Sequence, residues 1–253
     1  MWHDEFDGAA GARVDSARWR YDLGDGCQVH LCGWGNRERE YYSDAPDNVA
    51  LDGRGHLIIA ARRAPPGLAC YYGPCLYTSG KITTRATMTA APGRVEARIK
   101  LSQGQGLWSA FWMLGEGHPH EPWPACGELD VMEHKGSQAS TTSSAVHGPG
   151  YSGATPFARA HTLTRGALSD DFHVFAVEWD SLHVRFFVDD SVHYSTTRTE
   201  IERFGTSVLG KRYYVILNLA VGGTFDGDPR SDAIFPARMS VDYVRVYRPK
   251  GAP

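Results

Sequence analysis

The sequence predicts an all-β protein, a sandwich of two packed antiparallel sheets of jelly-roll type. Three observations carry this: short apolar stretches of period two, turn residues between them, and almost no helical periodicity. The period-two stretches fall at 56–61, 95–101, 172–179, 183–188, 213–221 and 241–247. Successive side chains of a strand face opposite ways, so apolar and polar residues alternate when only one face is buried. The stretch at 172–179 is followed closely by 184–188, and Asp189-Asp190 precede another short strand, the pattern of a meander with tight turns. The best helical candidate is a single turn at 200–204, closed by Gly205 as a C-cap. Among 253 residues, 28 glycines and 14 prolines supply the turns, and 7 Trp, 12 Tyr and 10 Phe favour a β-rich chain with a stacking cleft.

A hydrophobic fraction of 42% against 22% charged is that of an ordinary folded chain, and no repeat, low-complexity block or charge run divides it. One domain, 1–253, is expected, and a monomer. With 26 basic and 29 acidic residues the net charge is −3, which offers nothing to a phosphate backbone or an anionic membrane, so neither is expected as a partner. No apolar run is long enough to span a bilayer, and Met1-Trp2-His3-Asp4 opens no signal peptide. A mature secreted domain begun at a new start codon has this appearance, and an extracellular location is expected.

The densest chemical signal is Trp123-Pro-Ala-Cys-Gly-Glu-Leu-Asp-Val-Met-Glu-His134, with carboxylates at Glu128, Asp130 and Glu133. On a regular strand Glu128 and Asp130 share a face, while Glu133 has the wrong parity. One β-bulge at Val131 or Met132 resets the phase and brings all three together. On a helix, Glu128 and Glu133 diverge by roughly 140° and cannot cooperate. Crowded carboxylates split their pKa values, so that one stays ionised while another keeps its proton, as glycoside hydrolysis requires. Taken bare, the pattern also describes a solvated strand face. Trp108, Phe111, Trp112 and Trp123 alter the balance, because sugar rings pack their C–H faces on aromatics. Each Trp alone can equally be core.

These residues resemble glycoside hydrolase family 16, in its laminarinase-like branch of endo-β-1,3-glucanases. The resemblance covers nearly the whole chain: Gly33-Trp-Gly-Asn-Arg-Glu38, Tyr77-Thr-Ser-Gly80, Gly93-Arg-Val-Glu-Ala-Arg98, Ala110-Phe-Trp-Met-Leu114, 127–133, His147-Gly148, Leu217-Asn-Leu-Ala-Val-Gly-Gly223 and Val241-Asp-Tyr-Val-Arg-Val-Tyr247. It implies a concanavalin-like jelly roll of two curved sheets, with a β-glucan held on the concave one. It assigns Glu128 as nucleophile, Glu133 as acid/base and Asp130 as the residue that tunes charge between them. The bulged E-x-D-x-x-E resembles the β-1,3-specific branch. Positions resembling the family's cleft are Asn36, Arg85, Trp112, Trp123 and His147, with Trp108 and Asn218 beside them. Some members carry a structural calcium, whose ligands resemble the backbone at Glu5 and Gly55 and the Asp242 carboxylate; Asp242 could instead pair with an arginine. Pro92, Ser109, Glu40 and Thr224-Phe225 depart from the family pattern, the last at a stacking position.

The remaining motifs are weaker. Cys27 with Cys32 and Cys70 with Cys75 read first as local disulfides of a secreted enzyme, although four thiolates could hold a zinc or remain free. Cys126 reads as a small packed hydrophobe. His118-Pro-His120 lacks a third metal ligand, and Gly104-Gln-Gly106 precedes a strand rather than the helix that a phosphate loop needs. Expected, therefore, is a retaining endo-β-1,3-glucanase that hydrolyses laminarin-type glucans. The alternatives are a mixed-linkage β-1,3-1,4-glucanase and a non-catalytic β-glucan recognition module.

Overall fold

A computed structural model describes residues 1–248. Two large sheets dominate the described residues, beside a two-stranded ribbon of Ala69–Cys70 with Gly73–Pro74. One has ten strands, eight of them in the order 191–197, 183–188, 173–179, 93–100, 237–247, 57–63, 77–79, 40–42; strand 2–4 adds to 237–247 and 49–51 to 57–63. The other has seven, in the order 157–162, 141–147, 128–135, 107–115, 213–221, 81–83, 20–21. Among the described residues every pair is antiparallel except Glu40–Tyr42 on Tyr77–Ser79. The sandwich is that of the expected jelly roll.

Each alternating stretch falls on a strand. His183–Val188 and Tyr213–Val221 have the expected bounds, while Leu57–Arg63, Gly93–Lys100, His173–Trp179 and Ala237–Tyr247 shift at their ends. Thr141–His147 and Phe157–Thr162 carry little apolar pattern, and their neighbours in the sheet make them strands. The helical turn moves upstream to Arg198–Ile201, because Thr197 caps the Glu200 N–H while the Glu200 side chain accepts from the Thr197 N–H in a reciprocal capping box. Gly205 is not a left-handed C-cap; a Cβ there would meet the Pro149 carbonyl at 1.7 Å, so close backbone approach is its role.

The core lies between the sheets. Phe111, Met113, Leu129, Val146, Leu217 and Leu219 face it from one side, and Val95, Ile99, Phe175, Val177, Phe186 and Met239 from the other. Both expected disulfides form, Cys27 with Cys32 and Cys70 with Cys75, and Cys126 is free and buried.

Three loops at one end of the seven-stranded sheet meet on Asp226, which is 8% exposed. Its carboxylate accepts from the Gly106 N–H at 2.9 Å, the Ser137 N–H at 3.1 Å and the Ser137 hydroxyl. Hydrogen bonds to a charged group contribute about 1.5–3 kcal/mol each, and orphaned buried donors add a further cost. Asp226→Ala should therefore lower stability by about 3 kcal/mol, read as a melting temperature roughly 6–12 °C lower at the ~2–4 °C per kcal/mol of a chain this size. A shift within about 1 °C would remove Asp226 as the tie between these loops.

Candidate active site

The acid strand Glu128–Lys135 lies between Leu107–Gly115 and Thr141–His147. On one side Phe111 faces Met132 and Trp112 faces Asp130, which leaves Val131 unmatched. On the other, Asp130 faces Ala145 and Glu133 faces Ser143, so two residues oppose Ser144 alone. Val131 and Met132, 1% and 0% exposed, both pack into the core although adjacent in sequence. This is the expected bulge, and past it Glu133 returns to the outer face.

The ladders then align the outward residues in three rows. Asn218, Ala110, Glu133 and Ser143 form one; Ile216, Trp112, Asp130 and Ala145 the next; Tyr214, Leu114, Glu128 and His147 the third. Leu114, Tyr214, Ile216 and Cys126 make an apolar cluster separate from the core, with Trp112 against it. Ala110, Ser143 and Ala145 flank the acids with little bulk, which leaves room above them for a ligand.

His147 Nε2 lies 3.0 Å from Asp130 Oδ2 and 3.9 Å from Glu128 Oε1. The Trp123 ring, 44% exposed, tilts against His147 with centroids 6.1 Å apart, and its indole interacts with Glu128. Trp108 stacks on Phe225 at 4.5 Å, and its indole side faces Glu133. Trp112 donates its N–H to Asn218 Oδ1 at 2.7 Å. None of the three Trp rings belongs to the main core. Phe225 therefore backs Trp108, with the Lys135 ammonium 4.6 Å from its ring centroid.

Burial is the first cause that raises all three carboxyls. Glu128 is pushed up to about 8, with Asp130 adding repulsion and His147 opposing it. Asp130 is pushed up to about 7 and hydrogen-bonds with Glu128. Glu133 is raised well above the usual carboxylate value by burial, then by repulsion from Asp130 and Glu128. Burial raises all three because they share one desolvated site. Donor atoms of Glu128, Asp130 and His147 lie within 4.8 Å of one another, a spacing that could also hold a cation.

The expected cleft residues Asn36, Asn218 and Trp112 are joined by a wall whose Glu38, Tyr42 and Lys81 sequence reasoning missed. Asn36 Nδ2 donates to Glu38 Oε1 at 3.1 Å, Tyr42 OH to Glu38 Oε2 at 3.2 Å, and Asn218 Nδ2 to Tyr42 OH at 3.1 Å, which completes a chain to Trp112. Glu40 accepts from the Val221 N–H at 2.7 Å and hydrogen-bonds with Glu38. Burial raises both acids, Glu40 strongly, and Glu38 further raises the cost of ionising Glu40. Lys81 Nζ lies 3.9 Å from the Trp34 ring centroid and 5.2 Å from that of Trp112. The two-residue spacing of Glu38, Glu40 and Tyr42 is the same-face signal that could have found them.

Other predicted residues lie farther out. Arg85 is exposed and pairs with Asp22 at 3.3 Å. Of the calcium set, a Cβ at Gly55 would stand 3.9 Å from the Glu5 carbonyl oxygen and 3.8 Å from Asp7 Oδ1, so two backbone positions do converge. Asp242, however, holds Arg98 at 2.6 Å, and the Glu5 carboxylate holds Arg245 at 2.8 Å. The Asp242 carboxylate thus has the arginine partner that the sequence left open beside the calcium reading. The Cys126 thiol is raised to about 11 by burial and by Glu128, which makes it inert packing.

The model of glycosyl hydrolases family 16 matches residues 36–245. A β-glucanase of Rhodothermus marinus is 37% identical over 258 residues, covering 98% of this chain and 84% of that protein. The endo-β-1,3-glucanase of Pyrococcus furiosus superposes with a TM-score of 0.89 at 41% identity, over 97% of this chain and 92% of the other. The laminarinase catalytic domain of Thermotoga maritima gives 0.92 at 37% identity, over 99% and 98%. Two further curated relatives are longer, and the chain spans 34% and 37% of them. With the family's pattern matched across 36–245 and the fold shared with solved glucanases, this chain belongs to glycosyl hydrolase family 16.

Proposed function

We infer that this chain is a retaining endo-β-1,3-glucanase acting on laminarin-type glucans. The observation that carries the reading is the bulge that sets Glu128, Asp130 and Glu133 on one outward face among Trp108, Trp112 and Trp123. Similarity to proteins named endo-β-1,3-glucanase and laminarinase supports the linkage. Two disulfides support an extracellular home.

Glu133, its pKa raised by burial and by repulsion from Asp130 and Glu128, protonates the glycosidic oxygen while the Glu128 carboxylate attacks the anomeric carbon. The bond to the leaving sugar breaks, and a glycosyl ester on Glu128 remains. Glu133, now a carboxylate, takes a proton from water, and the resulting hydroxide attacks the same carbon and frees Glu128. Asp130, bonded to Glu128 and 3.0 Å from His147, takes up proton density as Glu128 ionises. No step of this reading passes through calcium.

Glu128→Gln and Glu133→Gln should each lower laminarin turnover by at least about 10³-fold with the fold intact. An aryl glucoside with an acidic leaving group separates the roles: the first step should persist in Glu133→Gln and vanish in Glu128→Gln. A burst that persists in Glu128→Gln and vanishes in Glu133→Gln would reverse the assignment. Product ladders from laminarin, lichenan and agarose would fix the linkage, and a protein that binds laminarin but releases no reducing sugar would instead be a recognition module.

The raised acids also set a pH dependence. Turnover needs the Glu128–Asp130 pair ionised, so it falls as pH drops through the pair's raised values near 7 to 8. Asp130→Asn removes the repulsion on Glu128 and should move this acid limb to lower pH; an unmoved limb would detach it from the pair.

Stability runs the other way. A carboxyl whose folded pKa is raised binds protons more tightly when folded, so stability declines as pH climbs from about 4 towards the folded value. Glu133→Gln should therefore melt above the wild type at pH 8, with the gap closing at pH 4. A gap independent of pH would contradict the raised value.

A further inference from the structure

The bulge that aims Glu133 also breaks the ladder to strand Thr141–His147 between Asp130 and Glu133. Two hydroxyls on the inward face of that strand serve carbonyls at the break. Ser144 Oγ donates to the Val131 carbonyl at 2.7 Å, and Thr142 Oγ1 donates to the Glu133 carbonyl at 3.0 Å. Both side chains are shut away from solvent, at 1% and 2% exposure. The Ser144 oxygen has a second neighbour, His193 Nε2 at 2.9 Å. His193 belongs to Ser191–Thr197, the edge strand of the opposite sheet.

Proton accounting fixes the direction of this relay. A carbonyl only accepts, so the single Ser144 proton goes to Val131, and His193 must carry its proton on Nε2 to donate to Ser144 Oγ. Its Nδ1 is then a bare lone pair, and this is the ring atom buried without a partner. Burial and the His161 ring, with centroids 5.4 Å apart, hold His193 down at about 4, so the ring stays neutral at working pH. Val131 is the unmatched residue of the bulge. If its carbonyl is released, the extra residue can migrate along the strand, and every side chain it passes changes face.

We propose that Ser144 and His193 are positioning residues for Glu133: the opposite sheet pins the catalytic bulge through His193, Ser144 and the Val131 carbonyl. Ser144 faces inward, away from the acid row, so it acts only through the backbone. The proposal rests on Glu133 as the acid/base.

Laminarin kinetics across pH test it. Ser144→Ala and His193→Phe should lower kcat about 10- to 100-fold, the cost of a misplaced catalytic group, with KM unchanged. The basic limb of kcat/KM, which reports the Glu133 proton, should move to lower pH as Glu133 leaves the repulsion of Asp130 and Glu128. His193→Gln, which keeps an N–H donor of similar reach, should recover most of the loss. Should Ser144→Ala not fold, the two His193 variants at the sheet edge carry the test alone. Folded variants with wild-type kcat and an unmoved basic limb would overturn the proposal, as would equal loss in His193→Gln and His193→Phe. Wild-type laminarin turnover and an inert Glu128→Gln serve as controls, whose failure refutes the glucanase reading and not the relay.

Discussion

One extra residue in one strand governs this molecule. A regular strand shows alternate residues to each face, so Glu128, Asp130 and Glu133 cannot share a face without an interruption. The interruption is held by apolar burial. Val131 and Met132 both enter the core, and burying each contributes about 1.5–3 kcal/mol. A slip of the bulge would expose one of them or carry a carboxyl into the core. The same packing that stabilises the sandwich therefore fixes the geometry of the acids, and hydroxyls from the neighbouring strand satisfy the carbonyls at the break.

The site built on this bulge is electrostatically costly. Three carboxyls, a histidine and three tryptophans crowd one desolvated patch, and the wall beside it buries a second acid pair, Glu38 and Glu40. Burial raises the pKa of each acid. In the first site that shift favours the proton needed for the leaving group. In the second it favours a protonated carboxyl at position 40, bonded to its neighbour and to the Val221 N–H. The Asn36, Glu38, Tyr42, Asn218 and Trp112 chain then ties the cleft wall to the strand next to the acids.

Much of this was legible from the sequence. Period-two stretches located most long strands, since alternation is a local property, and the spacing of 128, 130 and 133 demanded either a bulge or no site. The five-residue cysteine spacings gave the disulfides. Thr141–His147 and Phe157–Thr162 were not legible, because ladder partners rather than their own residues make them strands. The helical turn was displaced by a capping box that outweighed the apolar pattern. Glu38 and Tyr42 went unnoticed because their two-residue spacing marks a shared face but not the partners that bury an acid there.

What the amino-acid order alone determined was periodicity: which residues can share a face, how many sheets they need, and that three acids require one irregularity. What tertiary structure decided was partnership: the Arg98 guanidinium on Asp242, Phe225 behind Trp108, and His193 reaching Ser144 from the other sheet. The physical reason is range. Alternation and capping act over a few residues, whereas desolvation, ion pairing and hydrogen bonding between sheets join groups whose separation along the chain carries no trace of their contact.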